Sequence, residues 1–406
     1  MLENSLSRIL RLSGWAVLLC IGGCATVVQQ TEPPPEPSPP EPAVIESAPT
    51  PPAPTAAELA AQRAASLACA RITIAAAGDI MLGTDYPENH LPDDDGQSFL
   101  AEVTPVLSTA DIAFGNLEGV LMDGGEPVKQ CKDPDACYLF RSPTRYAFHL
   151  ANAGFTVMSL ANNHARDFGE EGRSASMKAL DAAGIKHSGR NGDIALWPNG
   201  EVTAALIAFA PFTNSHPMLD IEGAKRQVEQ LAATYDLVIV SFHGGAEGVD
   251  AARLPFTTEY YYGEDRGDVV KFSRTLIEAG ADLIIGHGPH VPRAMEIHQD
   301  KLIAYSLGNF ATYYGISVNQ AKGYAPILIA TVDGNGRFIS GEIVSAIQVR
   351  PGGPRLDEKN RAYEQIWELT QQDFDGGGIK FQYGGNFFPA ADSPSKCQQT
   401  PDKASM

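Results

Sequence analysis

A chain of 406 residues with 44% apolar content has material for one large domain or two ordinary ones. Its net charge of −19 argues against nucleic acid as a partner, since phosphate recognition needs a cationic footprint. Past the N-terminal region no run reaches the ~18 apolar residues of a membrane-spanning helix.

The first element reads as a targeting segment. Arg8 and Arg11 supply a positive start, and "LSGWAVLLCIGG" (12–23) is an apolar core too short to span a bilayer. It closes on Ile21-Gly22-Gly23-Cys24, which resembles a bacterial lipobox. The expectation is a signal peptide over residues 1–23, a lipid on Cys24, and a lipid-anchored protein of the cell envelope facing the periplasm or exterior. Residues 33–54 contain eleven prolines. They predict an extended polyproline spacer of ~70 Å at about 3.1 Å per residue, within a linker assigned to residues 24–68. With Cys20 removed and Cys24 lipidated, Cys69, Cys131, Cys137 and Cys397 remain. An even number in an oxidising compartment suits disulfides. The loop "QCKDPDACY" favours Cys131–Cys137, which leaves Cys69 and Cys397 as a second pair. Paired C-x-x-C spacing for a metal is missing.

The main domain is assigned to residues 69–350. Apolar runs that read as buried strands are "RITIAAAGD" (71–79), "DIAFGNLE" (111–118), "FTVMSLANNH" (155–164), "VTAALIAFA" (202–210), "YDLVIVSFH" (235–243), "DLIIGHG" (282–288) and "KLIAYSLGN" (301–309). Helical patterns intervene around 171–183, 223–233 and 267–279. This alternation predicts an α/β domain with largely parallel strands. Around "DGNG" two further runs form a hairpin. Residues 351–406 are Gly-rich with interspersed aromatics and read as an extension lying on or near the domain.

Six runs end on polar chemistry: Gly78-Asp79, Asn116 to Glu118, Asn162-Asn163-His164, His243-Gly244-Gly245, His287-Gly288-Pro289-His290 and Gly308-Asn309. In open α/β sheets ligands sit beyond the carboxyl ends of the strands, so these groups are expected to converge. Asp79 and Glu118 offer carboxylates, Asn163 a neutral oxygen, and His243, His287 and His290 imidazoles. Mixed N/O ligation without thiolate suits Mn, Zn or Fe(II), as one or two ions. Pro289 keeps His287 and His290 out of a helix, so both project from a turn. Taken singly, each has a plainer reading: a satisfied histidine, an N-cap aspartate, turn asparagines.

"AAGDIMLG", "GNLEGVL", "SLANNHARDFGEEG", "SFHGGAE" and "GADLIIGHGPHVPRAMEIHQDKLIAYSLGNF", in that order, resemble the capsule-synthesis CapA family, named for poly-γ-glutamate capsule synthesis. The resemblance covers roughly residues 70–345. It implies a calcineurin-like metallophosphoesterase fold: two stacked sheets flanked by helices in four layers. It further implies Asp79, Asn163, His243, His287 and His290 as ligands, and His164 as the group that contacts substrate or protonates a leaving group. The pattern departs at Asp79, where Ile80-Met81 replaces the usual x-His. Asn116 stands for the bridging Asp, with Glu118 nearby. One ion is the simpler expectation. Asp167, three residues after His164, would orient it or cap the following helix.

The function expected is an envelope-anchored, metal-dependent, phosphoesterase-like centre serving capsule or related surface-polymer synthesis. The rival is a non-catalytic accessory protein that guides an anionic polymer, leaning on metal or on Arg166, Arg173, Arg190, Arg266 and Arg293. Residues 257–268, "TTEYYYGEDRGD", are expected either as a substrate-facing loop or as a solvated one.

Overall fold

The computed structural model describes residues 34, 38, 54–129, 137–391 and 397. The signal segment, Cys24 and Cys131, and with them the lipid anchor and the Cys131–Cys137 bridge, lie outside the described residues. The chain divides into a unit over Met1–Ala53 and one over Pro54–Met406. Only the second is described in any detail. No helix among the described residues is long and apolar enough to cross a membrane.

The second unit opens with the helix Ala56–Cys69, inside the stretch read from sequence as linker. Thr55 and Glu58 form a reciprocal capping box that satisfies the first backbone donors. At the other end of the helix, Cys69 is disulfide-bonded to Cys397, the second pair expected from sequence.

Two sheets carry the fold. In the larger, the order is Ile379–Phe381, Asn386–Pro389, Phe338–Val344, Ile327–Val332, Ile72–Met81, Ile112–Leu117, Val157–Ser159, Lys186–Ser188, with Asn309–Thr312 pairing along the end of Ile72–Met81. In the smaller it is Met295–His298, Lys301–Ala304, Leu283–His287, Leu237–His243, Ala204–Ala210, Ala195–Trp197, with His216–Pro217 beside Ala204–Ala210. Ile327–Val332 and Phe338–Val344 form the expected antiparallel hairpin. The last two strands come from the C-terminal extension, whose Phe387 is fully buried.

Side chains alternate across each strand, and this sorts them into layers. Ile74, Ala76, Phe114, Leu206, Ile239, Leu283 and Ile285 meet between the sheets. Ala75, Ala77 and Ala113 face outward onto a layer holding Tyr146, Leu150 and Leu180. Ile207, Val238, Val240 and Ile284 face the opposite way, onto the helices Ile221–Ala232 and Val269–Glu278. The result is helix, sheet, sheet, helix, the four layers expected.

The parallel pairings decide where polar groups go. Asp79 is in register with Asn116 and with Asn309, Asn116 with Ser159, and His243 with His287. The strands therefore deliver their terminal side chains to one edge. Two glycines make the approach close enough: a Cβ on Gly78 would stand 2.0 Å from the Gly308 carbonyl, and one on Gly286 2.2 Å from that of Tyr305.

Candidate metal centre

At that edge Asp79, Glu118 and His290 bring ligand atoms within 4.8 Å of one another. Asp79 and Glu118 are fully buried. His290 Nδ1 lies 3.0 Å from Asp79 Oδ2 and 3.7 Å from Glu118 Oε2, and its Nε2 is 3.6 Å from Glu247 Oε2. To reach them His290 adopts φ +59°, a left-handed conformation uncommon outside glycine. The turn after His287 supplies it, with Pro289 between the two histidines.

Asn116 ties the neighbours together. Its amide donates to Asp79 Oδ1 at 2.8 Å and stands 3.3 Å from His243 Nδ1, while its oxygen accepts from Asn162 at 3.0 Å. Asn162 Oδ1 in turn accepts from the His164 backbone at 3.0 Å. His287 lies deeper, its Nε2 3.1 Å from the Ala77 carbonyl. Of the expected ligands, Asp79, Glu118 and His290 are brought together, while His243, which touches Asn116, and His287 stand beside that group and outside it. Asn163 and His164 border the cavity above it.

Electrostatics follows from this crowding. Burial opposes charge on Asp79, yet the His290 hydrogen bond and the three imidazoles outweigh it and hold its pKa down to about 2. Burial and the Asp79 charge push Glu118 well above the ordinary carboxyl range. Burial also works against charge on His290, but Glu118 and Asp79 prevail and raise it to about 10. His243 and His287 are pushed down by burial and stay neutral. A cation entering here would displace the His290 proton, as metal binding generally does.

The donor set fits such a cation. Both carboxylate oxygens of Glu118, Asn163 Oδ1, His243 Nε2 and His287 Nδ1 are buried with no hydrogen-bond partner. Buried polar atoms are ordinarily paired, and a cluster of orphaned N and O atoms is what a divalent ion would satisfy.

A cavity of about 530 Å³ opens above. His164 lines it and is held from behind: its Nδ1 is 2.8 Å from Asp167 Oδ2. Asp167 also accepts from the Phe140 backbone at 2.9 Å and pairs with Lys129 at 2.9 Å. Burial and Lys129 outweigh Asp167 and keep the His164 imidazole below its ordinary pKa. Residues 257–268 form a small hairpin, Glu259–Tyr261 with Glu264–Gly267, and Tyr261, Tyr262, Glu264 and Arg266 line the cavity. Of the arginines singled out, only Arg266 reaches it. Arg293 is fully buried in a bidentate pair with Glu259 at 2.7 and 2.9 Å. Glu259 also receives the Ala246 backbone at 2.9 Å, so the pair props the turn that carries Glu247.

Sequence reasoning noted Asn309 as a strand end but missed its role. Its oxygen takes the His290 Nδ1 contact at 2.9 Å, and its amide donates to the carbonyls of Ser317 and Lys322 at 3.2 and 3.0 Å. Glu247, four residues after His243, and Lys129, ahead of the cysteine loop, were also missed. Glu247 closes the stretch "SFHGGAE" without being singled out there, and nothing in the local pattern marks Lys129.

Fold and site together define a four-layer α/β protein whose strand ends enclose a carboxylate–imidazole centre fit for a divalent cation. The chain belongs to the family described as "Bacterial capsule synthesis protein PGA_cap", which matches residues 73–314. It is similar to the "Capsule biosynthesis protein CapA" of Bacillus anthracis, at 26% identity over 328 residues and 74% of each chain. It is also similar to the "PGA biosynthesis protein CapA" of Bacillus subtilis (strain 168), at 28% over 317 residues, 72% of this chain and 76% of that one. Among solved structures, a 5'-nucleotidase precursor from Thermus thermophilus aligns at 14% identity and a TM-score of 0.37, over 74% of this chain and 59% of that protein.

Proposed function

We propose that this chain serves the synthesis of a capsule or related poly-γ-glutamate-like surface polymer through a divalent-cation centre that hydrolyses a phosphoester-type bond. The observation that carries this reading is the group of Asp79, Glu118 and His290, in which both Glu118 oxygens are buried without a hydrogen-bond partner. The relatives' names support the polymer. Asp79, Glu118 and His290 would hold an ion of Mn, Zn or Fe, with Asn163, His243 and His287 beside it, and Cys24 would carry the lipid that anchors the chain to the envelope.

A divalent ion there supplies electrophilic polarisation of a phosphoryl or acyl oxygen. The chain's own residues handle the proton. Asp167 fixes the Nδ1 side of His164, which leaves Nε2 as the ring nitrogen available to a ligand. Because His164 is neutral at rest, Nε2 accepts a proton first. The donor role expected from sequence follows only after that uptake. Lys129 and Asp167 hold the ring in place throughout.

The test is hydrolysis of generic phosphoesters by the purified protein with and without Mn(II), alongside elemental analysis. Turnover above background that disappears in His164→Asn with metal retained supports the reading. A metal-loaded protein that binds polymer without turnover leaves the accessory role, and failure to retain any divalent metal ends the centre itself.

A further inference from the structure

Besides His290 the cavity walls carry three basic side chains, Lys129, Arg266 and Lys322. Two are already neutralised. Lys129 pairs with Asp167 at 2.9 Å, and Arg266 with Glu247 and Glu264 at 3.0 and 3.1 Å. Among the described residues Lys322 is the cavity cation whose ammonium has no carboxylate partner. It is half-buried on the wall formed by the turn Gln320–Gly323.

The position of that wall is fixed. Asn309 donates to the carbonyl of Lys322 at 3.0 Å and accepts from His290 at 2.9 Å, so one side chain joins the Lys322 backbone to the acid–imidazole floor. Gln348 reaches the same carbonyl at 3.5 Å. A lysine with no carboxylate partner, carried on backbone that is tied beside the acid–imidazole floor in a protein of net charge −19, is suited to recognising an anion. Among the other cavity-lining residues Tyr262 is 83% exposed and Tyr138 54%, which offers apolar faces to the uncharged links between anionic groups.

We infer that Lys322 binds a second anionic group of the ligand while the first sits at the floor, so that the ligand is a chain of repeated oxyanions rather than a single small ester. This rests on the polymer reading above and narrows it. Carboxylate and phosphate repeats share the chemistry that Lys322 recognises.

The experiment is calorimetric titration of the Mn(II)-loaded protein with a γ-glutamate pentamer, with tripolyphosphate, and with inorganic phosphate as the single-group control. Lys322→Met is expected to weaken one of the two chain ligands about tenfold or more, the scale of a charge-assisted contact. Inorganic phosphate should bind as before. Lys322→Arg should restore most of the loss, and the loss should shrink as salt is raised. The affected chain ligand names the repeat. Unchanged chain affinity in Lys322→Met overturns the assignment and leaves the polymer reading standing. Equal weakening of inorganic phosphate places Lys322 at the floor group and overturns the two-point mode. If the unsubstituted protein binds neither chain, the ligand class falls, and the inference with it.

Discussion

Replacing Glu118 with Met tests the centre most directly. Both oxygens of Glu118 are buried without a donor. A buried polar group left unpaired costs about 1–3 kcal/mol, and more if charged. In chelator the Met variant, which buries no polar group there, is therefore expected to be more stable than the native chain by roughly that amount. Saturation reverses the sign. A ligand at 1,000 times its Kd stabilises the form that binds it by about 4.1 kcal/mol, which exceeds the gain from Met. The variant lacks an anionic ligand and should gain little. Urea unfolding in EDTA and in Mn(II), with elemental analysis of each protein, reads both halves. The stability order should invert between the two conditions. A variant that is less stable in EDTA and still gains as much from Mn(II) as the native chain would refute the reasoning, because the orphaned oxygens would then have some other cause.

Arg293→Met leaves Glu259 buried without its counter-charge and should cost about 3–5 kcal/mol, whereas adding Glu259→Met should recover most of it. Paired urea midpoints check this, and a double variant as unstable as the single one would count against it. His216 is fully buried, with Nδ1 3.1 Å from the Ala208 carbonyl and Nε2 receiving the Gly192 N–H at 2.9 Å. Burial depresses its pKa, so the neutral ring is the stabilised form. Its contribution is present above the unfolded value of about 6.5 and is lost as pH falls below it. Midpoints measured from pH 8 to 5 should fall more steeply in the native chain than in His216→Gln, and equal slopes would disprove it.

The layers were legible because period-two alternation separates Ile74 and Ala76 from Ala75 and Ala77 with no knowledge of their partners. Convergence at the strand ends was legible too, since parallel strands place their carboxyl ends together. The strand expected over 155–164 is shorter, Val157–Ser159. From Leu160 the chain leaves the sheet to present Asn162, Asn163 and His164. Individual contacts were not legible. His290 meets Asp79 across 211 positions, and its left-handed backbone has no signature in "GHGPH". Asn309, Glu247 and Lys322 act through segments that meet only once both sheets are stacked. The tail showed no period long enough to betray that Asn386–Pro389 extends a sheet.

The covalent link between Cys69 and Cys397 has a mechanical consequence. Three residues after Cys69 begins Ile72–Met81, an interior strand paired on both flanks. Tension entering from the N-terminal side meets the link before it meets that strand. The load divides between the link and the strand's paired hydrogen bonds, which would have to shear together rather than unzip one at a time. A body pulled from this end resists as a unit, and its catch lies where the first strand enters the sheet.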